Sequence, residues 1–309
     1  MSPISRRTML KNSSLTAASI TLLTAVPEML HAQSLARTTG IQLYTVGKEL
    51  TEDLSGTLNK LSAIGYKTVE SAGLAGHSAA DFRKALDEAG IKCPSCHIFP
   101  APGKTQQQNF EDMKTLGADY AVSSVIIKPT APIKSVDDYI KLIDALTQDD
   151  YKKMAGELNA IATQAKAMGL KFAYHNHNME FRKWSDGSTT YDILMSETDP
   201  ELVKIEIDCG WADLGGHPPV ELFKKYRGRV RMLHIKDFVP VGHPVTTLDP
   251  KNGPEGTELG KGHIDYRPIL AAAPAAGVEH IFVEQEPPFT KFTALEAAKV
   301  DYDYLQSIA

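Results

Sequence analysis

The chain has 309 residues, of which 42% are hydrophobic and 23% charged, and this is the composition of an ordinary globular protein. A net charge of −5 and a pI near 6.1 argue against a nucleic-acid-binding surface. Length alone permits one large domain or two smaller domains.

The first 35 residues have the pattern of an export signal. Arg6 and Arg7 form a twin-arginine pair, a modestly apolar run extends from Ser14 to Val26, and Ala32 offers a small residue for cleavage. The run is too short for a stable membrane span. A basic tail ahead of an ordinary helix is the alternative. We expect residues 1–35 to be a cleavable twin-arginine signal and residues 36–309 to be a soluble periplasmic domain.

Strand and helix patterns alternate through the rest of the chain. Apolar or β-branched runs predict eight strands, at Gly40–Val46, Tyr66–Ser71, Ile91–Ile98, Ala121–Ile127, Leu170–His177, Val203–Asp208, Val230–Lys236 and His280–Glu286. Amphipathic patterns predict helices at Thr51–Ile64, Ser78–Ala89, Tyr191–Thr198, Val220–Tyr226, Tyr266–Ala275 and Ala294–Ile308, with two more over Val136–Met168. This alternation predicts an α/β fold, a single (β/α)8 TIM barrel.

Two connections are expected to be long loops, from Phe99 to Leu116 and from Phe238 to Ile264. Both are rich in glycine and proline, which favour loops. Long loops at the carboxyl ends of barrel strands commonly form lids or binding edges. Plain surface loops are the alternative.

Three cysteines are present, Cys93, Cys96 and Cys209. Cys93 and Cys96 have the spacing of a redox or zinc motif. They fall in a predicted strand, however, where side chains three apart point to opposite faces. No second pair completes a zinc site. We therefore expect buried or incidental cysteines.

Polar side chains follow four apolar runs in the C-terminal half of the chain. His175 and His177 end one run, and Asp208, His234 and Glu284 end the next three. Because the carboxyl ends of parallel barrel strands meet on one face, these side chains are expected to form a divalent metal site. The alternatives are a helix cap for Asp208, a core histidine for His234 and a rim salt bridge for Glu284.

Further polar residues are candidates for substrate contact. Glu70 and His97 end the second and third predicted strands, and Lys236 shares a strand face with His234. Trp211 follows the sixth strand, where it would either stack on a sugar ring or pack at the rim.

The chain resembles the sugar phosphate isomerase/epimerase superfamily, the xylose-isomerase-like TIM barrels, over roughly residues 39 to 308. The motifs that carry the resemblance are Gly40-Ile-Gln-Leu-Tyr44, Gly65-Tyr-Lys-Thr-Val-Glu70, His175-Asn-His177 with Glu180-Phe181, Asp208-Cys-Gly210, His234-Ile-Lys-Asp237, Gly260-Lys-Gly262 with Asp265, and Val283-Glu284. Together they are specific for the superfamily and much less specific for one reaction.

The resemblance implies one divalent metal ion, usually manganese or magnesium, held by Glu, Asp, His and Glu on four strands. Zinc, cobalt or iron would also suit the donors. The last three ligands map to Asp208, His234 and Glu284. Where sugar epimerases carry the first Glu, this chain has His175, and Glu180 in the following loop could supply the carboxylate. Which of the two is the fourth ligand stays open.

The implied function is a metal-dependent sugar isomerase or epimerase acting on a small keto sugar or glycoside. His175, His177 or Glu284 would remove the proton beside the carbonyl, giving a metal-stabilised enediolate. The missing Glu argues against a symmetric epimerisation that uses two bases. A keto-sugar dehydratase or 3-keto-glycoside lyase is therefore an alternative. A non-catalytic periplasmic sugar-binding barrel is a third reading. The absence of a Lys/Arg stripe disfavours an endonuclease-like relative, and a homo-oligomer stays open.

Overall fold

The computed structural model describes residues 38–98, 103–124, 135–247 and 253–309. Within these ranges, parallel strands close into an eight-stranded barrel in which each strand pairs with its neighbours in chain order and the last pairs with the first. The strands are β1 (Gly40–Gln42), β2 (Thr68–Ser71), β3 (Lys92–His97), β4 (Tyr120–Ser123), β5 (Lys171–His175), β6 (Val203–Asp208), β7 (Val230–Ile235) and β8 (His280–Val283). The barrel confirms the predicted fold. The predicted signal, residues 1–35, lies outside the described residues.

Helices connect the strands and pack on the outside of the barrel. In the described part of the chain they are α1 (Gly47–Glu52), α2 (Leu54–Ile64), α3 (Ala79–Ala89), α4 (Gln106–Leu116), α5 (Val136–Asp144), α6 (Gln148–Ala167), α7 (Thr190–Glu197), α8 (Cys209–Leu214), α9 (Pro219–Lys225), α10 (Tyr266–Ala276) and α11 (Ala294–Ile308). No helix in these ranges has the length and apolarity that crossing a bilayer requires.

The predicted strands differ from the observed ones mainly at their ends. The first was predicted to reach Val46 but ends at Gln42, because the Gln42 side chain accepts a hydrogen bond from the Tyr44 amide and starts a 3-10 turn. The last was predicted to reach Glu286 but ends at Val283. The fourth was predicted over 121–127, of which 125–127 lie outside the described residues.

The prediction of a long loop from Phe99 to Leu116 is wrong for its second part, which is α4. Thr105 and Gln108 form a capping box at the start of the helix, and Gly117 ends it in the left-handed region. Phe110, Met113 and Leu116 are buried on one face. The run of three glutamines masked this amphipathic pattern in the sequence, although the cap was readable.

The connection after β7 is anchored by one carboxylate. Asp237 accepts backbone hydrogen bonds from Gly260, Gly262, His263 and Ile264, at 3.0 to 3.2 Å. A side chain at Gly262 would collide with Asp237, since an added Cβ would lie 2.2 Å from its Oδ1. Asp237 therefore holds residues 260–264 close to the end of β7.

Two apolar layers hold the barrel together. The interior is filled by a small cluster, comprising Tyr120, Val122, Ala173, Met232 and Phe282. A larger cluster lies between the strands and the helices. Side chains along each strand alternate between these two layers. A residue two positions after an interior residue therefore also faces the interior, one level nearer the carboxyl end of its strand.

The pairing of β2 with β3 contains a bulge. Thr68 lies opposite Lys92 and Glu70 lies opposite Ser95, so β3 has one extra residue in this interval. Strict alternation predicted that Cys93 and Cys96 point to opposite faces, but because of the bulge they point to the same face. Both lie in the outer cluster, with their Sγ atoms 3.6 Å apart. Both are free and buried, as expected.

Candidate metal centre

Four side chains at the carboxyl ends of β5 to β8 converge inside the barrel mouth. His175, Asp208, His234 and Glu284 each offer one ligand atom, and these atoms all lie within 4.8 Å of one another. We refer to these four residues as the upper group. They are between 0% and 8% exposed. Two imidazoles and two carboxylates suit manganese, zinc, cobalt or iron.

The two oxygens of Asp208 have separate roles. Asp208 ends β6 and begins α8, where its Oδ1 accepts a hydrogen bond of 2.7 Å from the Trp211 amide. Its Oδ2 is buried and has no hydrogen-bond partner. Burial raises the pKa of Asp208 to about 6, although Lys236 and His234 oppose the shift. One oxygen of Asp208 thus caps a helix, while the other has no hydrogen bond and lies 3.3 Å from the Lys236 ammonium, so a metal cation could bind it.

His234 has a carboxylate at each ring nitrogen. Its Nδ1 lies 3.1 Å from Glu284 Oε2, within the upper group, and its Nε2 lies 2.6 Å from Glu70 Oε2. Burial disfavours the imidazolium, but Glu206 and Glu284 outweigh it and raise the pKa of His234. A histidine that binds a metal through one nitrogen usually donates the other N–H to a carboxylate, which is the position that Glu70 occupies.

His175 is arranged in the same way. Its Nδ1 lies 3.0 Å from Glu206 Oε2. Its ring centroid is 4.5 Å from that of His234. Burial, followed by the positive field of His234, holds the pKa of His175 well below its usual range. The side chain is therefore a neutral imidazole, the form that ligates metals.

A layer of acidic and imidazole side chains lies beneath the upper group. We call Glu70, His97 and Glu206 the lower group. His97 Nε2 lies 3.2 Å from Glu70 Oε2 and 3.0 Å from Glu206 Oε2. Burial opposes the charge on His97, but the two carboxylates prevail and raise its pKa to about 10. Together with His175 and His234, His97 and Glu206 form a second set of ligand atoms within 4.8 Å.

The placement of Glu70 differs from the predicted substrate contact. Glu70 is fully buried and accepts hydrogen bonds from Gln42 and Ser95 as well as facing His234. It lies behind the imidazoles rather than at the mouth. His97 is less enclosed, with 12% of its side chain exposed, and keeps one edge toward the surface. Sequence reasoning did not include Glu206 in the site, although alternation from Asp208 indicated its orientation.

Lys236 lies among the carboxylates of the mouth. Its Nζ is 2.8 Å from Glu284 Oε2, 3.3 Å from Asp208 Oδ2 and 2.5 Å from Glu286 Oε1. Lys236 and His234 hold the pKa of Glu284 below its usual range, against the effect of burial. The Lys236 ammonium therefore forms ion pairs with both carboxylates of the upper group.

Trp211 and His177 form one side of the mouth. The Trp211 indole is 8% exposed, donates to Glu286 Oε1 at 3.2 Å and packs against Phe238. Little of its ring is therefore free to stack on a sugar. The His177 ring lies 5.0 Å from His175, and its Nδ1 is buried without a partner. Burial lowers the pKa of His177 to about 4, so this imidazole is neutral at physiological pH.

Glu180 lies apart from the upper group. Its Oε1 accepts a hydrogen bond of 2.8 Å from the Tyr174 hydroxyl, and its Oε2 accepts one of 3.0 Å from the His177 amide. Burial raises its pKa to about 7, partly offset by the bond from Tyr174. The structure thus brings His175, and not Glu180, together with Asp208, His234 and Glu284.

The fold and this site agree with a family match over most of the chain. The family described as the xylose isomerase-like TIM barrel matches residues 58–307. The chain belongs to this family. Its members include isomerases, epimerases and dehydratases, so the chain is a member of an enzyme family whose reactions differ.

Similar curated proteins include two inosose dehydratases. The one from Geobacillus kaustophilus is 27% identical over 246 residues, which cover 73% of this chain and 77% of that protein. The one from Lacticaseibacillus casei is 30% identical over 171 residues, or 52% of this chain and 55% of that protein. The second match therefore spans about half of its relative.

A similar solved structure is a sugar phosphate isomerase/epimerase from Parabacteroides distasonis. It is 26% identical, with a TM-score of 0.67, over 86% of this chain and 96% of that one. A second structure with the same description and source is 24% identical with a TM-score of 0.70, and that likeness shows the fold alone.

Proposed function

We propose that this protein is a divalent-metal-dependent sugar isomerase or epimerase that moves a proton at the carbon beside the carbonyl of a keto sugar or glycoside. The observation that carries the proposal is the upper group. Its four donor atoms come from four successive strands and lie within 4.8 Å of one another. One of its carboxylates, Asp208, has a buried oxygen without a hydrogen-bond partner.

The residues present fit a divalent ion. His175, Asp208, His234 and Glu284 would hold it, and Glu70 and Glu206 would orient the two imidazoles from behind. When bound, such an ion polarises a carbonyl and its neighbouring hydroxyl and makes the adjacent C–H more acidic. The family resemblance favours manganese or magnesium, and the two imidazoles favour manganese of these two, with zinc, cobalt and iron as alternatives.

His177 is suited to accept the proton. It is neutral, it lies at the mouth beside His175, and its Nδ1 has no partner in the described part of the protein. A neutral imidazole within reach of a substrate C–H can act as a general base. Glu284 is a second candidate, although Lys236 and His234 already engage its Oε2. The Lys236 ammonium would donate a hydrogen bond to the oxygen on which negative charge develops.

Elimination of water is the second candidate reaction, and the two inosose dehydratase relatives favour it. After a base removes the proton beside the carbonyl, the C–O bond at the next carbon would break, and the departing hydroxyl would take a proton from the protonated base and leave as water. This needs one base, whereas epimerisation by two bases needs one on each face of the sugar. His175 in place of the usual Glu leaves the site asymmetric, which suits elimination or isomerisation from one face.

Solvent exchange separates these possibilities. The protein loaded with manganese should incorporate deuterium from D2O beside the carbonyl of a keto sugar, because every version of the reaction breaks that C–H bond. Mass and NMR analysis of the product would then distinguish an isomer, an epimer and a dehydrated sugar. A protein that binds the sugar but catalyses no exchange with any of these metals would instead be a sugar-binding barrel.

We also propose that residues 1–35 direct twin-arginine export to the periplasm. The Arg6 and Arg7 pair supports this proposal, since the export receptor reads it. Replacing both arginines with lysine should leave the protein in the cytoplasm. Undiminished periplasmic protein would contradict the proposal.

A further inference from the structure

We propose that a side cavity beside His97 is a subsite for an uncharged aromatic ring attached to the reacting sugar, so that the substrate is an aryl glycoside rather than a free monosaccharide. This inference rests on the proposed function and specifies its substrate class. The cavity has a volume of about 290 Å³. It lies between the turn after β2, the carboxyl end of β3 and helix α4.

The cavity borders the candidate metal centre through one shared residue, His97. His97 lines it on one side and contacts Glu70 and Glu206 of the lower group on the other. The His97 ring centroid is 5.0 Å from that of His175 and 5.5 Å from that of His234. His97 therefore stands between the cavity and two members of the upper group, and a substituent of a sugar held at the upper group would reach the cavity past the exposed edge of this ring.

The volume is that of a partial site. Cavities that enclose a whole drug-sized ligand measure roughly 300 to 1,000 Å³, so this one lies at the lower limit. It accommodates one ring, while the rest of the substrate lies in the barrel mouth. This size is what a two-part substrate requires, with the reacting sugar at the upper group and its substituent to the side.

The walls favour an aromatic ring over a second sugar. Leu74, Met113 and Leu116 supply apolar surface, and the thiol of Cys96 lies alongside. A second sugar would place hydroxyls against these side chains without hydrogen bonds, which is costly. An aromatic ring would lose nothing there, and methionine sulfur makes favourable contacts with aromatic rings.

The polar part of the wall points to a hydroxyl on that ring rather than a charge. Asn109 lines the cavity, and its carboxamide makes no hydrogen bond to another residue among those described. Lys104 and Asp112 also line it and form an ion pair with each other. Because their charges are already matched, neither is free to neutralise a charged ligand. The Asn109 amide would bond a phenolic hydroxyl.

The turn after β2 that forms the other wall has an unusual backbone. Ala75 has a φ of 48°, in the left-handed region that alanine disfavours, between Gly73 and Gly76, which also have positive φ. Such strained residues are concentrated at ligand sites. The turn also holds Leu74 against the outer core and over the cavity.

The test compares two keto glycosides, one carrying a 4-hydroxyphenyl group and one carrying only a methyl group, and adds the phenyl and naphthyl compounds for two of the variants. With wild-type, manganese-loaded protein, kcat/KM for deuterium exchange should be at least about tenfold higher for the aryl compound. Leu74→Trp, which fills the cavity, should remove most of this preference. Asn109→Ala should lower the preference for 4-hydroxyphenyl over phenyl by about two- to tenfold, the range for one hydrogen bond.

Leu202→Trp is the matched control, because Leu202 is also partly buried but precedes β6 at the opposite end of the barrel. It should keep the wild-type preference. If Leu74→Trp does not fold, Met113→Ala replaces it, with Met154→Ala as its control. Both methionines are 5% exposed on outer helices. Met113→Ala should shift the preference toward a larger naphthyl group, and Met154→Ala should not.

Two failures are distinguishable. If wild-type protein exchanges neither glycoside with any metal, the proposed function fails, and NMR saturation transfer from the protein to 4-hydroxyphenyl glucoside still reports on the cavity. If saturation reaches the aryl protons with wild-type protein but not with Leu74→Trp, the subsite is supported even then. If wild-type protein exchanges both glycosides equally well, or if Leu74→Trp and Leu202→Trp act alike, the subsite proposal is overturned while the proposed function stands.

Discussion

The Nε2 atom of His234 lies 2.6 Å from Glu70 Oε2, while Nδ1 of the same ring faces Glu284 Oε2 at 3.1 Å. The two carboxylates belong to different layers, since Glu284 is in the upper group and Glu70 is fully buried below it. A metal at the upper group would use Nδ1, which places the remaining proton on Nε2 and directs it to Glu70. Glu70 therefore fixes both the tautomer and the orientation of the ligand.

We predict that Glu70→Gln lowers metal affinity by about 10- to 100-fold, the usual cost of removing a carboxylate behind a ligating histidine. The neutral amide retains the shape of the side chain but makes the imidazole a weaker donor. Calorimetric titration with manganese measures the effect. Glu279→Gln is the control, because Glu279 precedes β8 at the other end of the barrel. Equal affinities for wild type and Glu70→Gln would contradict the orienting role.

Asp208→Asn and His234→Ala should each release the metal without unfolding the barrel. The reason is that barrel stability depends on the interior and outer apolar clusters, neither of which includes these residues. Metal analysis together with circular dichroism tests both halves of the prediction. Asp213→Asn, five positions after Asp208 and partly exposed, should keep the metal. Full occupancy in both ligand variants would rule out the upper group as the metal site.

Metal content distinguishes the role of His175 from that of Glu180. His175→Ala should lose the ion, whereas Glu180→Gln should retain it, because Glu180 bonds Tyr174 and the His177 amide instead. Glu180→Gln should still lower turnover by up to roughly 100-fold, because Glu180 positions His177 through the His177 amide. A displacement of about 1 Å in a positioned catalytic group has that effect. Loss of the metal from Glu180→Gln would make Glu180 the fourth ligand after all.

Lys236→Met should raise metal affinity while it lowers turnover. The ammonium lies 2.8 Å from Glu284 and 3.3 Å from Asp208, so it repels a cation at the upper group. Even with strong screening, removing a like charge at about 4 Å should increase affinity at least about tenfold. Turnover should fall because the group that donates to the developing oxyanion is lost. A decrease in affinity would show that Lys236 supports the metal site.

Asp301 gives a pH dependence that is separate from the metal. Its Oδ1 accepts from the Leu259 amide and its Oδ2 from Gln285, and burial raises its pKa to about 7. In the unfolded chain the pKa of Asp is about 3.9. The folded state thus binds the proton more tightly. The resulting stabilisation is complete below about pH 3.9 and is lost as the pH rises through about 7.

The expected outcome is that metal-free wild-type protein becomes less stable from pH 5 to pH 8 relative to Asp301→Asn, whose side chain does not titrate. Denaturant unfolding of both proteins across this range measures the difference and cancels the contributions of other groups. A constant difference would mean that Asp301 keeps an ordinary pKa in the folded protein.

The barrel and the convergence of Asp208, His234 and Glu284 were predictable from the sequence because both depend on local patterns, whereas the choice between His175 and Glu180 was left open. Apolar runs of strand length alternate with amphipathic helices, and Asp208, His234 and Glu284 each follow such a run. The carboxyl ends of parallel strands meet, so residues far apart in the chain could be placed together without coordinates. Alternation also indicated correctly that Glu206 shares the face of Asp208.

The lower group could not be predicted in the same way. Its contacts depend on how far strands from different parts of the chain are shifted along one another, and two pairings, β2 with β3 and β6 with β7, contain register irregularities. Glu70 was expected to contact substrate because it ends the second predicted strand, but the pairing sets it opposite Ser95, below the imidazoles. Helix α4 was missed because its polar residues obscured three buried positions.

The extra residue in β3 determines where this strand can change length without losing the site. It reverses the parity of the strand, so Ser95 and His97 face the barrel interior although Cys93 faces outward. Loss of one residue between Cys93 and Ser95 would restore regular alternation and leave both side chains facing inward, whereas loss of Cys96 would turn His97 into the helix layer. The strand therefore tolerates a shorter segment before Ser95 but not after it.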